Sequence, residues 1–173
     1  MTSRLLRIEP LAGYTPIIGR LVCMLTYARQ TTLSAVQGMT MGELDHLQDD
    51  TSNSIGALLA HIAVVERGYQ SLTFDDRALS AEDLGPALTL GDQGRRHLRG
   101  KPLEHYVNEL AEARRLTLEG FATRDDDWLE RSPVVAPAMN THWAWFHVAE
   151  DEISHRGQIH WLRKRLPGRE RRS

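Results

Sequence analysis

Lysine is almost missing from this chain: only Lys101 and Lys164 occur, so arginine supplies nearly all of its 21 basic residues. An excess of either sign is missing too, because those residues face 23 acidic ones for a net charge of -2. That balance gives no general attraction to nucleic acid or anionic membrane. Outside the short tail RERRS no basic stripe interleaves with aromatics, so nucleic-acid binding is not expected. Cysteine occurs once, which excludes an intrachain disulfide; Cys23 lies in the apolar series LVCML and reads as a packing thiol with no activating base beside it. Long hydrophobic runs are lacking as well. The longest, Ile55 to Val65, contains a histidine and falls short of the ~20 residues that a bilayer span needs. The opening segment meets Glu9 and Pro10 before a signal-peptide core can form. The expectation is a cytoplasmic protein without membrane association.

What is present is helical periodicity. At 173 residues the chain suits one domain spanning 1–173, with 168–173 read as a frayed basic tail. Four long patterns are separated by stretches rich in Gly, Pro, Asp and Ser. The first is expected from Pro16 to near Gln37, and the second from the cap-like run Asp50 to Ser54 to about Leu72. The third opens at Pro102 and reaches about Phe121; the fourth follows Asn140 and stops at Pro167. Short turns are expected near Met41 to Leu44 and Ser80 to Leu84. The connection from Thr73 to Lys101 far exceeds the roughly 2 to 8 residues that join antiparallel neighbours in bundles. The expected fold is therefore an all-α four-helix bundle with a crossover between its second and third long helices, in up-down-down-up order.

On the fourth pattern Ala144, Val148, Asp151, His155, Ile159, Leu162 and Leu166 advance by four and three residues and share one stripe. Asp151 and His155 thus interrupt an aliphatic face, where an unpaired carboxylate would cost several kcal/mol. Their i, i+4 spacing stacks them one turn apart, close enough to grip one cation. His61, the only histidine of the most apolar helix, is the candidate third ligand. A hydrogen bond between Asp151 and His155 would also satisfy the pair without any metal. His147 extends the ladder by one more turn, but a straight helix spreads the outer rungs about 12 Å apart, so it is read as a supporting or substrate-facing group. Glu66 falls among apolar residues and is either a support for the site or a partner of an arginine. Trp143, Trp145 and Trp161 are open between pocket, interface and ordinary packing. Two imidazoles and a carboxylate suit zinc or nickel, and also iron or manganese, and leave a position for water or substrate.

The segments SIGALLAHIAVVE (Ser54 to Glu66) and HVAEDEISHRGQI (His147 to Ile159) resemble the DinB-like family of bacterial helical-bundle metalloproteins. The resemblance implies a ligand histidine at His61 and a second at His155. Asp151 stands where a histidine is commoner, although the branch resembling mycothiol-dependent maleylpyruvate isomerase carries a carboxylate there. Also implied are a metal-dependent thiol transferase, isomerase or hydrolase, a low-molecular-weight thiol such as bacillithiol or mycothiol as cosubstrate, a small-molecule substrate, and a homodimer. A bundle merely stabilised by its metal is the non-catalytic alternative.

Overall fold

The computed structural model describes residues 6–167, the side chain of Ala81 excepted, and all regular structure among them is helical. In chain order the elements are α1 (Pro16–Val36), α2 (Met41–Asp45), α3 (Ile55–Phe74), α4 (Ala81–Leu84), α5 (Pro86–Thr89), α6 (Gly91–His97), α7 (Leu103–Ala122), α8 (Asp126–Glu130) and α9 (Thr141–Arg163). The four long helices lie where the sequence places them. α9 ends about one turn earlier than expected, at Arg163, although Leu166 beyond it is still buried. The expected basic tail at 168–173 lies outside the described residues. None of the described helices is long and apolar enough to cross a membrane.

Helix ends are set by local chemistry. Ser54 Oγ accepts from the Ala57 amide at 3.1 Å to open α3, and Asn140 Oδ1 accepts from the Trp143 amide at 2.9 Å to open α9. α1 begins at Pro16 without a cap from its own Thr15; instead Asp126 of α8 accepts from the amides of Ile17 and Ile18, each at 3.1 Å. The helical turns α5, α6 and α8 are absent from the sequence reading. Gly85, Pro86, Gly91 and Gly94 punctuate α5 and α6 so closely that no apolar period is visible there. Only Leu129 of the short α8 is buried, which leaves no pattern to read.

Side-chain pairing fixes how the long helices lie. Along α3 and α7 contacts advance together: Gly56 meets Tyr106, Arg67 pairs with Glu109, and Gln70 donates to the Ala113 carbonyl. Gly56 has no room for more, since a Cβ would stand 2.7 Å from the Tyr106 hydroxyl. Along α3 and α9 they advance in opposition: His61 meets His155, and Tyr69 meets His147. Two apolar clusters result. One gathers Val36, Leu44, Leu58, Leu110 and Ile159; the other gathers Leu21, Leu25, Phe121, Leu129 and Trp145. Between them lies a level of buried charge from Arg29, Glu66, Arg114 and Glu152.

Candidate metal centre

The central observation is a convergence on one oxygen. His155 Nε2 lies 3.3 Å and His61 Nε2 3.6 Å from the same Asp151 Oδ1. The two imidazoles meet edge to face with centroids 4.7 Å apart. One ligand atom from each of the three side chains falls within 4.8 Å of the other two. Bonds of about 2.1 Å to a tetrahedral ion would set ligand atoms ~3.4 Å apart, so the two nitrogen-to-oxygen contacts are already of that order.

The connection between α3 and α7 decides which nitrogen of His61 is available. His61 Nδ1 lies 2.8 Å from the backbone carbonyl of Ala87 in α5. A carbonyl can only accept, so Nδ1 carries the hydrogen and the neutral ring turns an Nε2 lone pair toward Asp151. Lone pair then faces carboxylate, an arrangement that repels unless a proton or a cation lies between them. Asp151 Oδ2 and His155 Nδ1 add to the deficit, because both are buried without a hydrogen-bond partner among the described residues. The donor set, the spacing and the orphaned oxygen all fit a divalent ion.

Electrostatics agree with the geometry. Burial opposes ionisation of Asp151, but the imidazoles of His155 and His61 outweigh it and hold the carboxyl well below the usual carboxylate range. Burial likewise favours neutral His61, yet the Asp151 carboxylate and the Ala87 carbonyl raise its pKa overall. Without a metal, the Asp151 carboxylate and the Ala87 carbonyl therefore favour a proton on His61 more than water does.

Beside the triad lies a cavity of about 380 Å³ that His61, Asp151 and His147 enter from one side. Its other walls are Val64, Leu72, Leu79, Leu84 and Leu88, with Tyr69 and Gly68. His147 stays outside the converging set: its Nδ1 lies 2.9 Å from Glu150, its ring stacks on Trp143 at 5.1 Å, and Tyr69 meets it edge-on.

A family model described as mycothiol-S-transferase matches residues 20–168, most of the chain. The chain belongs to the mycothiol-S-transferase family. That family is DinB-like, so the resemblance read from the two histidine-bearing segments is borne out. No curated protein matches the chain.

In this member of the mycothiol-S-transferase family Glu66 is an arginine partner. It is fully buried, receives Arg114 Nε at 2.7 Å, Arg29 Nη2 at 2.8 Å and the Thr117 hydroxyl at 2.6 Å, and makes no contact with the triad among these bonds. Glu152 completes the cluster, bound by Arg29 Nε at 2.8 Å and Arg114 Nη2 at 3.3 Å. Two cations and two anions balance, and the guanidinium groups also reach the carbonyls of Leu110 and Leu25. Sequence reasoning missed Arg29, Arg114 and Glu152. A signal existed, since Glu152 continues the buried series Trp145 and Ala149 by four and three residues, and Arg114 follows Leu110 by four. Glu152 adjoins Asp151, so this cluster anchors α9 at the level where it presents Asp151 and His155 to His61 of α3. Of the tryptophans, Trp145 is core, whereas Trp143 and Trp161 are each 46% exposed.

Proposed function

We propose that this protein is a divalent-metal-dependent thiol S-transferase, with His61, Asp151 and His155 as ligands and a low-molecular-weight thiol as cosubstrate. The observation that carries the reading is the approach of two imidazole Nε2 atoms to one carboxylate oxygen, with the His61 tautomer set by Ala87. A divalent cation bound there would lower the pKa of a thiol or water at its open position, so that the nucleophilic form exists near neutral pH. Family membership supports a thiol in that role. His61 is oriented by α5, Asp151 and His155 by α9, and the aliphatic walls of the adjoining cavity exclude water from an electrophile placed against them.

The cavity also speaks to the electrophile. No arginine or lysine lines it among the described residues, so away from the metal position its aliphatic walls suit an apolar, neutral electrophile.

Zinc and nickel are the first metals to test, with iron and manganese behind them. The proposal extends to one domain in up-down-down-up order, supported by the parallel contacts of α3 with α7 and the opposed contacts of α3 with α9. It extends also to the cytoplasm, where a low-molecular-weight thiol would be supplied, and to a homodimer. For the dimer the support is an apolar surface where Leu6, Ile8, Phe146 and Ile153 stand exposed around a cavity of about 470 Å³; sedimentation velocity tests it.

The deciding assay is consumption of a neutral electrophile by metal-loaded protein with and without mycothiol, bacillithiol or glutathione. Thiol-dependent conjugate formation is expected. Equal consumption without any thiol would replace this reading by metal-assisted hydrolysis. No turnover, together with a large loss of melting temperature on chelation, would leave a bundle stabilised by its metal.

A further inference from the structure

The seam between α3 and α9 continues past the triad. Because the two helices run in opposite directions, Tyr69 and His147 mark one end, His61 and His155 the middle, and Asn53 and Trp161 line a second cavity at the other end. That cavity measures about 560 Å³. It begins close to the ligands: Gln158, on its wall, follows His155 by three residues, or about 4.5 Å of helix rise.

The two cavities differ in chemistry. The first is mostly aliphatic, whereas the second presents the neutral polar side chains of Thr51, Ser52, Asn53, Ser154 and Gln158 around one indole, with no charged side chain on its wall among the described residues. Arg165 covers one face of that indole, its guanidinium carbon 3.8 Å from the Trp161 ring centroid, yet the residue stays 46% exposed. Gly157 lies on the same wall, well inside α9, where glycine is among the poorest helix formers. No packing explains it. A Cβ at Gly157 would meet nothing within 4 Å, so the helix lacks a side chain at a place where one would project into open space beside the cavity.

Hydroxyl and amide groups set around an aromatic face are the chemistry that recognises a polyhydroxylated ring, whose hydroxyls hydrogen-bond while its C–H face rests on the indole. The cations nearest this wall are engaged with it, Arg165 on the Trp161 indole and Arg95 on the Thr51 carbonyl at 2.9 Å, so the lining side chains themselves offer neutral groups only. We propose that this second cavity seats the neutral, polyhydroxylated head of the thiol cosubstrate, with the thiol arm running along α9 to the triad and the electrophile approaching from the aliphatic cavity. The inference rests on the thiol-transferase reading above.

The test uses full-length, metal-loaded protein and the thiol-free sugar–inositol head of mycothiol as the probe, followed by calorimetry or tryptophan fluorescence. Wild type should bind the head saturably, and Trp161→Ala and Gly157→Leu should each weaken that binding at least tenfold. In steady-state assays both should raise KM for mycothiol by a similar factor without changing KM for the electrophile. Gly157→Leu should also raise the melting temperature, which separates a blocked cavity from a damaged fold. Head binding that responds to both variants while no thiol transfer is seen upholds the seat and removes the transferase reading. Mycothiol-dependent transfer with an unchanged KM in both variants overturns the seat and leaves the transferase reading standing. Absence of saturable binding of the head to wild type also overturns it.

Discussion

The Nδ1 atom of His61 lies 2.8 Å from the carbonyl oxygen of Ala87, so a residue of the long connection fixes the tautomer of a histidine on the most apolar helix. The two nitrogens can be tested separately. His61→Asn puts an amide donor near the Nδ1 position and removes Nε2, so it should keep the bond to Ala87 and lose the ligand. Metal affinity should fall at least a hundredfold while the melting temperature of the metal-free protein stays within a few degrees of wild type. His61→Gln places its amide nearer the Nε2 position and forfeits the Ala87 bond. Binding titrations and thermal melts on both variants check this.

Stability should respond to pH in opposite directions with and without metal. In the metal-free protein Asp151 raises the pKa of His61, so the stabilisation from that pair is complete below the ordinary histidine value of ~6.5. It is lost as pH rises through the raised value. In the loaded protein the cation competes with that proton, so apparent affinity, and with it metal-derived stability, climbs over the same range. Denaturant midpoints at several pH values, with metal and with chelator, should diverge as pH rises; parallel curves would contradict the assigned site.

The charge cluster between the two apolar clusters predicts a large penalty for breaking it on one side only. Glu152→Ala leaves Arg29 and Arg114 buried against a single carboxylate, and should cost on the order of 3–5 kcal/mol in a denaturant titration. Removing one charge of each sign, as in Arg29→Met with Glu152→Leu, should cost clearly less. Acid should attack the same place. Burial opposes ionisation of Glu66, but Arg114 and Arg29 hold its pKa below the ordinary value, so its contribution is full above about pH 4.5 and disappears as pH falls toward the lowered value.

The long helices and the meeting of Asp151 and His155 with His61 were legible because each rests on a repeated signal. Ser54 and Asn140 announce helix starts, and Asp151 with His155 breaks an aliphatic stripe at a spacing that leaves few explanations. His61 was readable as the only histidine of its helix. The role of Ala87 was not, because a backbone carbonyl has no side-chain signature and its placement depends on how the α5 turn folds back over α3. Arg29 and Arg114 escaped for another reason: a lone arginine on a helix usually reaches solvent, and only the three-dimensional meeting with Glu66 and Glu152 shows both buried. The second cavity draws on Thr51 to Asn53 and on Ser154 to Leu162, segments too far apart in the chain to be associated before folding.

The most direct measurement is elemental analysis of purified protein after saturation with divalent metal and removal of loose ions, on wild type beside Asp151→Ala and Asp151→His. The account predicts about one ion per chain in wild type, little or none in Asp151→Ala, and recovery in Asp151→His, which restores a ligand atom at the same turn of α9. Wild type that retains no ion, or Asp151→Ala that retains as much as wild type, would contradict it.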